Sequence, residues 1–187
     1  MGRWEPDAAE RLQRAAIGLF VELGYDAVTI SQIAERAGLT RRSFFRYFPD
    51  KREVLFLGSE RLAPEIERRL RAASADEPVP DVVIRVLGEV GGLLLIDRHA
   101  QQRRRAVIAA SPELRERDRS KSADTAASIA RALIGRGTPS VEANLLGAVY
   151  SEAFRSAYDQ ALEDDELSLE DHLSAAIRMI ETSLRPH

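Results

Sequence analysis

The sequence predicts an all-α protein, on the basis of three observations. Apolar residues recur at three- and four-residue spacing through almost every long segment. No segment alternates apolar and polar residues with β-branched enrichment over the length of a strand, and Gly and Pro separate the periodic segments. With 44% hydrophobic and 30% charged residues among 187, the composition is that of a folded globular chain. We therefore expect about nine helices.

The first two helices have clear start and stop signals. An apolar face at helical spacing predicts the first helix from about Asp7 to Leu23, and Gly24 ends it because glycine adopts the left-handed conformation at least cost. Thr29-Ile-Ser-Gln32 has the pattern of a capping box, in which the two end side chains each satisfy a backbone amide. The second helix therefore begins after Thr29, and we expect it to stop at Gly38.

The next two helices are predicted from their N-terminal caps. Thr40 is placed to cap a third short helix, which Pro49 closes. Asp50 then caps a longer fourth helix, expected to run from about Lys51 to Ala73.

Five more helices follow a polar, Pro-rich loop at residues 74–80. Their expected bounds are about 81–97, 101–110, 112–134, 140–162 and 169–184. Ser111 and Thr138 each precede a proline, so we expect their hydroxyls to cap the helices that start there. We divide the chain into an N-terminal domain of residues 1–52 and a C-terminal domain of residues 53–187.

Composition and charge exclude several classes of protein. No cysteine is present, which excludes disulfides, a thiolate nucleophile and cysteine-ligated zinc, and no apolar run is long enough to span a bilayer. We expect a cytoplasmic protein without a membrane partner. The net charge is −3, yet residues 1–52 carry nine Lys and Arg against seven Asp and Glu. This local basic excess is typical of a module that contacts nucleic-acid phosphates.

The chain has no pattern typical of an enzyme. Its three histidines lie far apart, and none has the spacing of a metal site. Gly135-Arg-Gly137 lacks the other glycines and the preceding strand of a phosphate-binding loop. We therefore expect no catalytic residues, no metal and no cofactor.

The segment from Thr29 to Phe48 carries the main functional prediction. Two short helices joined by a turn at Gly38 form a helix-turn-helix, whose second helix would place its first residues against base edges in the major groove. Arg41 and Arg42 stand there, and arginine is the residue that pairs with guanine through two hydrogen bonds. Phosphate contacts are expected from the hydroxyls of Thr29, Thr40 and Ser43 and from Lys51, which lies at a predicted helix start. The full expected DNA-binding set is Thr29, Thr40, Arg41, Arg42, Ser43, Phe45, Arg46, Tyr47 and Lys51.

Several motifs in this region resemble the TetR family of repressors. The matching runs are Ala15-Ala-Ile-Gly-Leu-Phe20, Gly24-Tyr-Asp-Ala-Val-Thr29, Ile33-Ala-Glu-Arg-Ala-Gly38 and Phe44-Phe-Arg-Tyr-Phe-Pro-Asp-Lys51. The resemblance implies a dimeric all-helical repressor whose third helix reads the operator and whose last two helices form a four-helix bundle with the partner. The family usually has Tyr at position 45 and His at position 47, so Phe45 loses a phenolic phosphate contact that the Tyr47 hydroxyl could replace.

A second resemblance concerns the run from Arg103 to Arg115. It is similar to a pattern in an actinobacterial TetR branch, the regulators of mycofactocin genes, which implies a hydrophobic or acyl-CoA-like effector. Two interpretations stay open for the arginines of this region: they bind the phosphates of such a ligand, or they form a solvated face and pair with acidic neighbours such as Glu113, Glu116 and Asp118. The arginines concerned are Arg103, Arg104, Arg105, Arg115, Arg117 and Arg119.

The expected effector-binding residues lie in the C-terminal domain. Gly88, Gly91 and Gly92 fall inside a predicted helix, where they either open room for a ligand or allow close helix packing. Further along, neighbouring faces of the predicted eighth helix carry Tyr150, Phe154, Arg155 and Tyr158. These residues either line a pocket, with Arg155 as a polar anchor, or pack in a dimer bundle. The expected ligand-binding set is Leu93, Leu94, Ile108, Tyr150, Phe154 and Arg155.

The sequence thus predicts a homodimeric, ligand-responsive repressor of operator DNA. Small residues at Gly147, Ala148 and Ser151 would let a partner helix approach closely. A stripe on the last helix would complete the bundle; it consists of Leu173, Ile177, Ile180 and Leu184. The competing hypothesis is a helical ligand-binding or scaffold dimer whose helix-turn-helix no longer binds DNA, and its one support is Phe45.

Overall fold

The computed structural model describes residues 7–183, and this part of the chain is entirely helical, as the sequence predicts. Its α-helices are α1 (Ala8–Leu23), α2 (Ile30–Arg36), α3 (Arg41–Tyr47), α4 (Ser59–Ala72), α5 (Val79–Gly92), α6 (Arg98–Ala110), α7 (Pro112–Gly135), α8 (Ser140–Glu163) and α9 (Leu169–Ser183). Two 3-10 turns, Glu53–Phe56 and Leu93–Leu95, follow α3 and α5.

The chain forms two compact units. The first contains the residues up to Glu60 together with Gln102–Asp118, and the second contains Arg61–Gln101 and the residues from Arg119 onward. Helices α6 and α7 therefore each contribute residues to both units. The division into domains at residue 52 stays a prediction. The contact-based units divide the chain differently, because residues 53–60 and 102–118 belong with the first unit.

The core of the first unit joins α1, α2 and α3 to residues returning from α6 and α7. Three phenylalanines are buried there: Phe20 in α1, Phe44 in α3, and Phe48 at the C-terminal end of α3. Ile108 of α6 and Leu114 of α7 are 2% and 0% exposed and complete the same core. Burial of these side chains holds the three N-terminal helices together.

The core of the second unit is built mainly by α5, α8 and α9. Helix α9 packs against both α8 and α5. At Gly91 the approach is so close that an added Cβ would lie 2.4 Å from Leu169 Cδ2 and 2.5 Å from Phe154 Cε2. A Cβ at Gly88 would lie 2.9 Å from the Cβ of Glu170. Close packing is therefore the reason for glycine at these two positions.

The fourth helix differs from its prediction. Asp50 does cap the segment, because its carboxylate accepts the backbone amides of Arg52 and Glu53 at 2.8 and 3.1 Å. The segment is only a 3-10 turn, however, and Gly58 has a φ of +81° before α4 begins at Ser59. One continuous helix from Lys51 to Ala73 was the wrong prediction, because a left-handed residue interrupts the helical hydrogen bonds.

The two caps that precede prolines have different outcomes. The Ser111 hydroxyl accepts the amide of Leu114 at 3.4 Å, as predicted. The Thr138 cap is wrong: Pro139 stands at the N-cap of α8, and no side chain caps that end. Thr138 instead donates its amide to the Leu133 carbonyl at 3.0 Å, within the turn that ends α7.

Several residues expected to face a dimer partner lie inside the second unit. A Cβ at Gly147 would lie 2.4 Å from the Ala126 carbonyl oxygen, and the Ser151 hydroxyl donates to the Ser122 carbonyl at 2.9 Å. Both residues therefore contact α7 of the same chain. Leu173 and Ile177 are likewise buried in the core, while Leu184 lies outside the described residues. The prediction that these side chains contact a dimer partner is therefore corrected: they make contacts within the chain. This applies to Gly147, Ser151, Leu173 and Ile177.

Candidate nucleic-acid interface and effector region

Helix α2 begins with the predicted capping box. The Thr29 hydroxyl oxygen accepts the Gln32 amide at 3.3 Å, and the Gln32 side-chain oxygen accepts the Thr29 amide at 2.8 Å. Because both groups are satisfied locally, the start of α2 is set without help from distant residues. The Thr29 side chain is exposed.

The turn between α2 and α3 is closed by Gly38. Gly38 has a φ of +68°. Its backbone amide donates to the Glu35 carbonyl at 2.9 Å, and the amide of Leu39 donates to the Ala34 carbonyl at 2.8 Å. This pair of bonds ends α2 in the Schellman arrangement. Arg11 of α1 donates from Nη2 to the Ala37 carbonyl at 2.5 Å, which fastens the turn to the first helix.

Helix α3 is anchored by its buried face and capped at its start. Phe44 is fully buried, and its ring centroid lies 5.4 Å from that of Phe48. Thr40 accepts the Ser43 amide at 3.1 Å and shares a hydrogen bond of 2.9 Å with the Ser43 hydroxyl. The helix therefore has a defined position and a defined first turn.

That first turn carries Arg41 and Arg42, both exposed. The Arg41 guanidinium lies over the Phe45 ring, 5.6 Å from its centroid. Within the described residues neither arginine forms an ion pair with a carboxylate. Two cations at the start of an anchored, exposed helix are suited to contact the edges of bases.

The later residues of α3 present an aromatic and cationic surface. Phe45 is 46% exposed. Arg46 donates from Nη2 to the Tyr47 hydroxyl at 2.8 Å, and its guanidinium lies 4.9 Å from the centroid of that ring. The Tyr47 hydroxyl is thus held at one end of α3, beside a positive charge.

Lys51 has internal contacts that the sequence did not indicate. Its ammonium donates to the carbonyls of Tyr25 and Val28 at 2.7 and 3.0 Å and lies 4.1 Å from the centroid of the Tyr25 ring. Its expected contact with a phosphate stays a prediction.

The Tyr25 phenol donates a hydrogen bond to Glu113. Burial, and then the neighbouring Glu113 carboxylate, raise the pKa of this phenol.

Polar contacts in the first unit also involve the arginines of α6 and α7. Arg117 pairs with Glu53, with Nε 2.5 Å from Oε1, and Arg105 pairs with Asp118 at 2.8 Å. Arg104 donates to the Leu55 carbonyl at 2.5 Å and lies over the Phe56 ring. These contacts favour the pairing interpretation over a phosphate site for these three arginines. The Glu53 and Leu55 partners were missed, because they lie 49 or more residues away in sequence.

The structure does not gather the expected ligand-binding residues around one cavity. Tyr150 and Phe154 are buried in the core of the second unit, whereas Arg155 is half-buried and pairs with Glu152 and Asp159. Leu93 and Leu94 are exposed on the 3-10 turn after α5. Ile108 packs in the core of the first unit. Their role in ligand binding stays a prediction.

A cleft does lie beside the glycines of α5. We call it the α5–α9 cleft; its volume is about 320 Å³. It is lined by Gly88, Glu89, Gly92, Leu95, Arg98, Leu167, Ser168, Leu169 and Glu170. The sequence left open whether the α5 glycines make room for a ligand or allow close packing, and it did not indicate the other wall of the cleft, at the start of α9.

Residues 7–183 contain neither a cluster of metal ligands nor a helix that could span a membrane. No group of three or more His, Asp or Glu side chains in this range is arranged to hold a metal ion. No helix in the same range is both long and apolar enough to cross a bilayer.

Two family models match the chain. The model described as bacterial regulatory proteins of the tetR family matches residues 12–56, which include the helix-turn-helix. The model described as the MftR C-terminal domain matches residues 77–185, more than half of the chain.

Curated relatives match over different lengths. An uncharacterized HTH-type transcriptional regulator of Mycobacterium tuberculosis, Rv2250c, is 41% identical over 49 residues, so the match spans only about a quarter of either protein. The putative mycofactocin biosynthesis transcriptional regulator MftR of the same species is 24% identical over 188 residues, covering 98% of this chain and 94% of that protein.

Solved structures share the fold at low sequence identity. The SmeT–triclosan complex has a TM-score of 0.64 at 20% identity and covers 94% of this chain and 90% of SmeT. Thermus thermophilus FadR, a TetR-family repressor in complex with lauroyl-CoA, has a TM-score of 0.52 at 20% identity, with 96% of each chain covered. Taken with the helix-turn-helix geometry, these matches lead to one conclusion: the chain belongs to the TetR family of DNA-binding transcription regulators and has a C-terminal domain of the MftR type.

Proposed function

We propose that this regulator is a homodimeric repressor that leaves its operator when a small-molecule effector binds its C-terminal helices. The observation that carries the proposal is the first turn of α3, where Arg41 and Arg42 are exposed and lack a carboxylate partner among the described residues. Because it binds DNA, we place its action in the cytoplasm.

On the DNA, Arg41 and Arg42 read base edges while neighbouring groups contact phosphates. A bidentate arginine–guanine pair discriminates against a wrong base by about 1–3 kcal/mol, which makes these two residues the main source of sequence selectivity. The exposed hydroxyls of Thr29 and Thr40 and the Tyr47 hydroxyl are phosphate ligands in this proposal. Phe45 contacts a thymine methyl or the sugar edge through its exposed ring.

Dimerisation uses the outward faces of α8 and α9. Val141 and Leu145 of α8 are 86% and 65% exposed, and Met179 of α9 is 64% exposed. Exposed apolar residues on two helices that already pack together favour a four-helix bundle with the same pair in a second copy. A dimer then presents two copies of α3 to half-sites about one helical turn of DNA apart.

The effector is proposed to be hydrophobic or acyl-CoA-like. The MftR-type C-terminal domain supports this class, as does the lauroyl-CoA bound by the FadR neighbour. Release requires that the effector prefer a state in which the two copies of α3 no longer fit both half-sites together. Helices α6 and α7 are the candidates to transmit the change, since each contributes residues to both units.

The decisive experiment measures operator binding by fluorescence anisotropy, with the DNA that flanks the protein's own coding region. We expect Arg42→Ala to weaken binding at least about tenfold, as the loss of one good base contact implies. Arg68→Ala is the matched control, because Arg68 is an exposed arginine of α4 that pairs with Glu65 in the second unit.

Both variants should keep the wild-type dimer mass and melting temperature. If Arg42→Ala binds the operator as tightly as wild type does, Arg42 is not one of the residues that contact base edges. Failure of the wild type to bind any flanking DNA would instead favour the scaffold hypothesis.

A further inference from the structure

The lining of the α5–α9 cleft includes one glycine of α5 that close packing does not explain. Gly88 and Gly91 are explained by close packing, since a Cβ on either would come within 3 Å of α9 or of its side chains. Gly92 differs, because no heavy atom lies within 4 Å of the position its Cβ would occupy. Its backbone is ordinary helix, with φ −57° and ψ −32°.

Neither packing nor backbone conformation therefore requires glycine at position 92. Glycine is an unfavourable residue in a helix, because it loses the most backbone entropy on folding. What glycine does provide at this position is space, and Gly92 lines the cleft. This combination favours a site that accommodates another molecule.

The walls of the cleft are mainly apolar. Leu95, Leu167 and Leu169 line it together with the bare backbone of the two glycines. Its volume of about 320 Å³ is near the lower end of ligand pockets, which span about 300–1,000 Å³. The cleft is therefore suited to a small apolar body rather than to a large cofactor.

Arg98 supplies the polar group at one end of the cleft. Its Nη1 donates to the carbonyls of Ala161 and, at 2.9 Å, Asp164, which fixes the guanidinium beside the last turn of α8. Its Nε and Nη2 groups have no acceptor among the described residues. A permanently charged guanidinium with unused donors binds an oxygen acceptor on a ligand.

The carboxylates of the lining do not cancel this preference. Glu89 is bound by Arg69 at 3.0 Å and by Arg85 at 3.4 Å, so its charge is already matched. Glu170 is exposed, at the first turn of α9. An acidic residue at that place offsets the positive end of the helix dipole.

We propose that the α5–α9 cleft binds a small amphipathic molecule, with its apolar body against the leucines and a carboxylate or carbonyl oxygen on Arg98. As the effector site, the cleft rests on the proposed function, and its size selects a small hydrophobic effector over an acyl-CoA. Its binding chemistry, however, can be measured without DNA.

The test uses three probes with the same ten-carbon chain: decanoate, decanal and decylamine. Binding to the full chain is measured by isothermal titration calorimetry. Gly92→Leu fills the cleft with a side chain that meets no neighbour at its Cβ, and Gly92→Ala is the matched control that leaves most of the space open. Circular dichroism melting confirms that both variants are folded.

We expect wild type and Gly92→Ala to bind decanoate and decanal, and Gly92→Leu to bind each at least tenfold more weakly. Decylamine, which carries no oxygen, should bind wild type at least tenfold more weakly than decanoate. The proposal is overturned if wild type binds neither oxygen-bearing probe, if Gly92→Leu binds them as wild type does, or if decylamine binds equally well.

Operator release separates the two proposals. We expect saturating decanoate to weaken operator binding by wild type and by Gly92→Ala, but not by Gly92→Leu. Binding in the cleft without any change in operator affinity overturns its assignment as the effector site. If wild type does not bind operator DNA at all, the proposed function has failed, while the calorimetry still decides what the cleft binds.

Discussion

The Lys51 ammonium lies 4.1 Å from the centre of the Tyr25 ring and donates to the Tyr25 carbonyl oxygen at 2.7 Å. A second hydrogen bond goes to Val28, one residue before the capping box of α2. Lys51, four residues after the end of α3, is thereby fastened to the loop that precedes α2. Two of its three N–H groups are used inside the protein.

We predict that Lys51→Met lowers the free energy of unfolding by about 1–3 kcal/mol, because hydrogen bonds from a charged donor are lost at two partly buried carbonyls. Urea denaturation measures the change. Lys121→Met is the control, since it removes the chain's other lysine from α7.

The same variant tests the expected phosphate contact. The logarithm of the DNA association constant falls with the logarithm of salt concentration by about 0.9 for each phosphate neutralised. If Lys51 acts only through its internal bonds, Lys51→Met keeps the wild-type slope while affinity falls. A slope smaller by about 0.9 for each copy of Lys51, about 1.8 for the proposed dimer, would show that Lys51 neutralises a phosphate.

Phe45→Tyr is predicted to strengthen operator binding about two- to tenfold for each half-site that the proposed dimer contacts. The ring is 46% exposed, so a hydroxyl added to it reaches solvent or DNA without disturbing the core, and one hydrogen bond contributes about 0.5–1.5 kcal/mol. Anisotropy titration measures the effect. Phe45→Leu, which removes the ring and adds no hydroxyl, should not strengthen binding; a gain there would point to shape rather than to a phosphate contact.

Two glycines in the first unit should respond to alanine with opposite signs. Gly38→Ala forces an alanine to a φ of +68° with its Cβ 3.2 Å from Arg11 Nη2, and should destabilise the protein by about 1–2 kcal/mol. Gly18→Ala lies inside α1 with no contact closer than 3.9 Å, and should stabilise it by up to about 1 kcal/mol. Thermal denaturation measures both. A Gly38→Ala protein at least as stable as wild type would contradict this account of Gly38, and a Gly18→Ala protein less stable than wild type would contradict the account of Gly18.

Val141→Glu is predicted to convert the proposed dimer to a monomer. Val141 is 86% exposed on α8, so the substitution leaves the core of the protomer intact and places a charge on the proposed bundle face. Light scattering coupled to gel filtration measures the mass. Val21→Glu, at a 53% exposed valine of α1, is the control and should keep the wild-type mass. A Val141→Glu protein that stays dimeric would place the interface elsewhere.

Most features that depend on a few consecutive residues were predicted correctly, the Thr138 cap being an exception. The caps at Thr29 and Thr40 and the stop at Gly38 follow from hydrogen bonds that span three to five residues. Such bonds depend on side-chain type and backbone conformation alone, so a single sequence indicates them. The break at Gly58 was missed because an isolated glycine is also compatible with a continuous helix.

The candidate sites were predictable to different degrees. Exposure of Arg41 and Arg42 follows from their place at the start of a short helix whose fourth residue, Phe44, is apolar. The effector region did not follow in this way. Gly147 belongs to a small-residue pattern that fits a partner helix as well as it fits α7, and only the fold assigns it to α7.

By itself, the sequence determined the helical class, the helix-turn-helix and the place of Arg41 and Arg42 at the start of α3. The tertiary structure alone decided that Lys51 binds Tyr25 and Val28, that Glu53 pairs with Arg117, and that Gly92 faces a cleft while Gly91 is packed. The physical reason is distance along the chain. Capping and periodicity are interactions within one or two helical turns, whereas these contacts join residues more than twenty positions apart and form only once the helices pack.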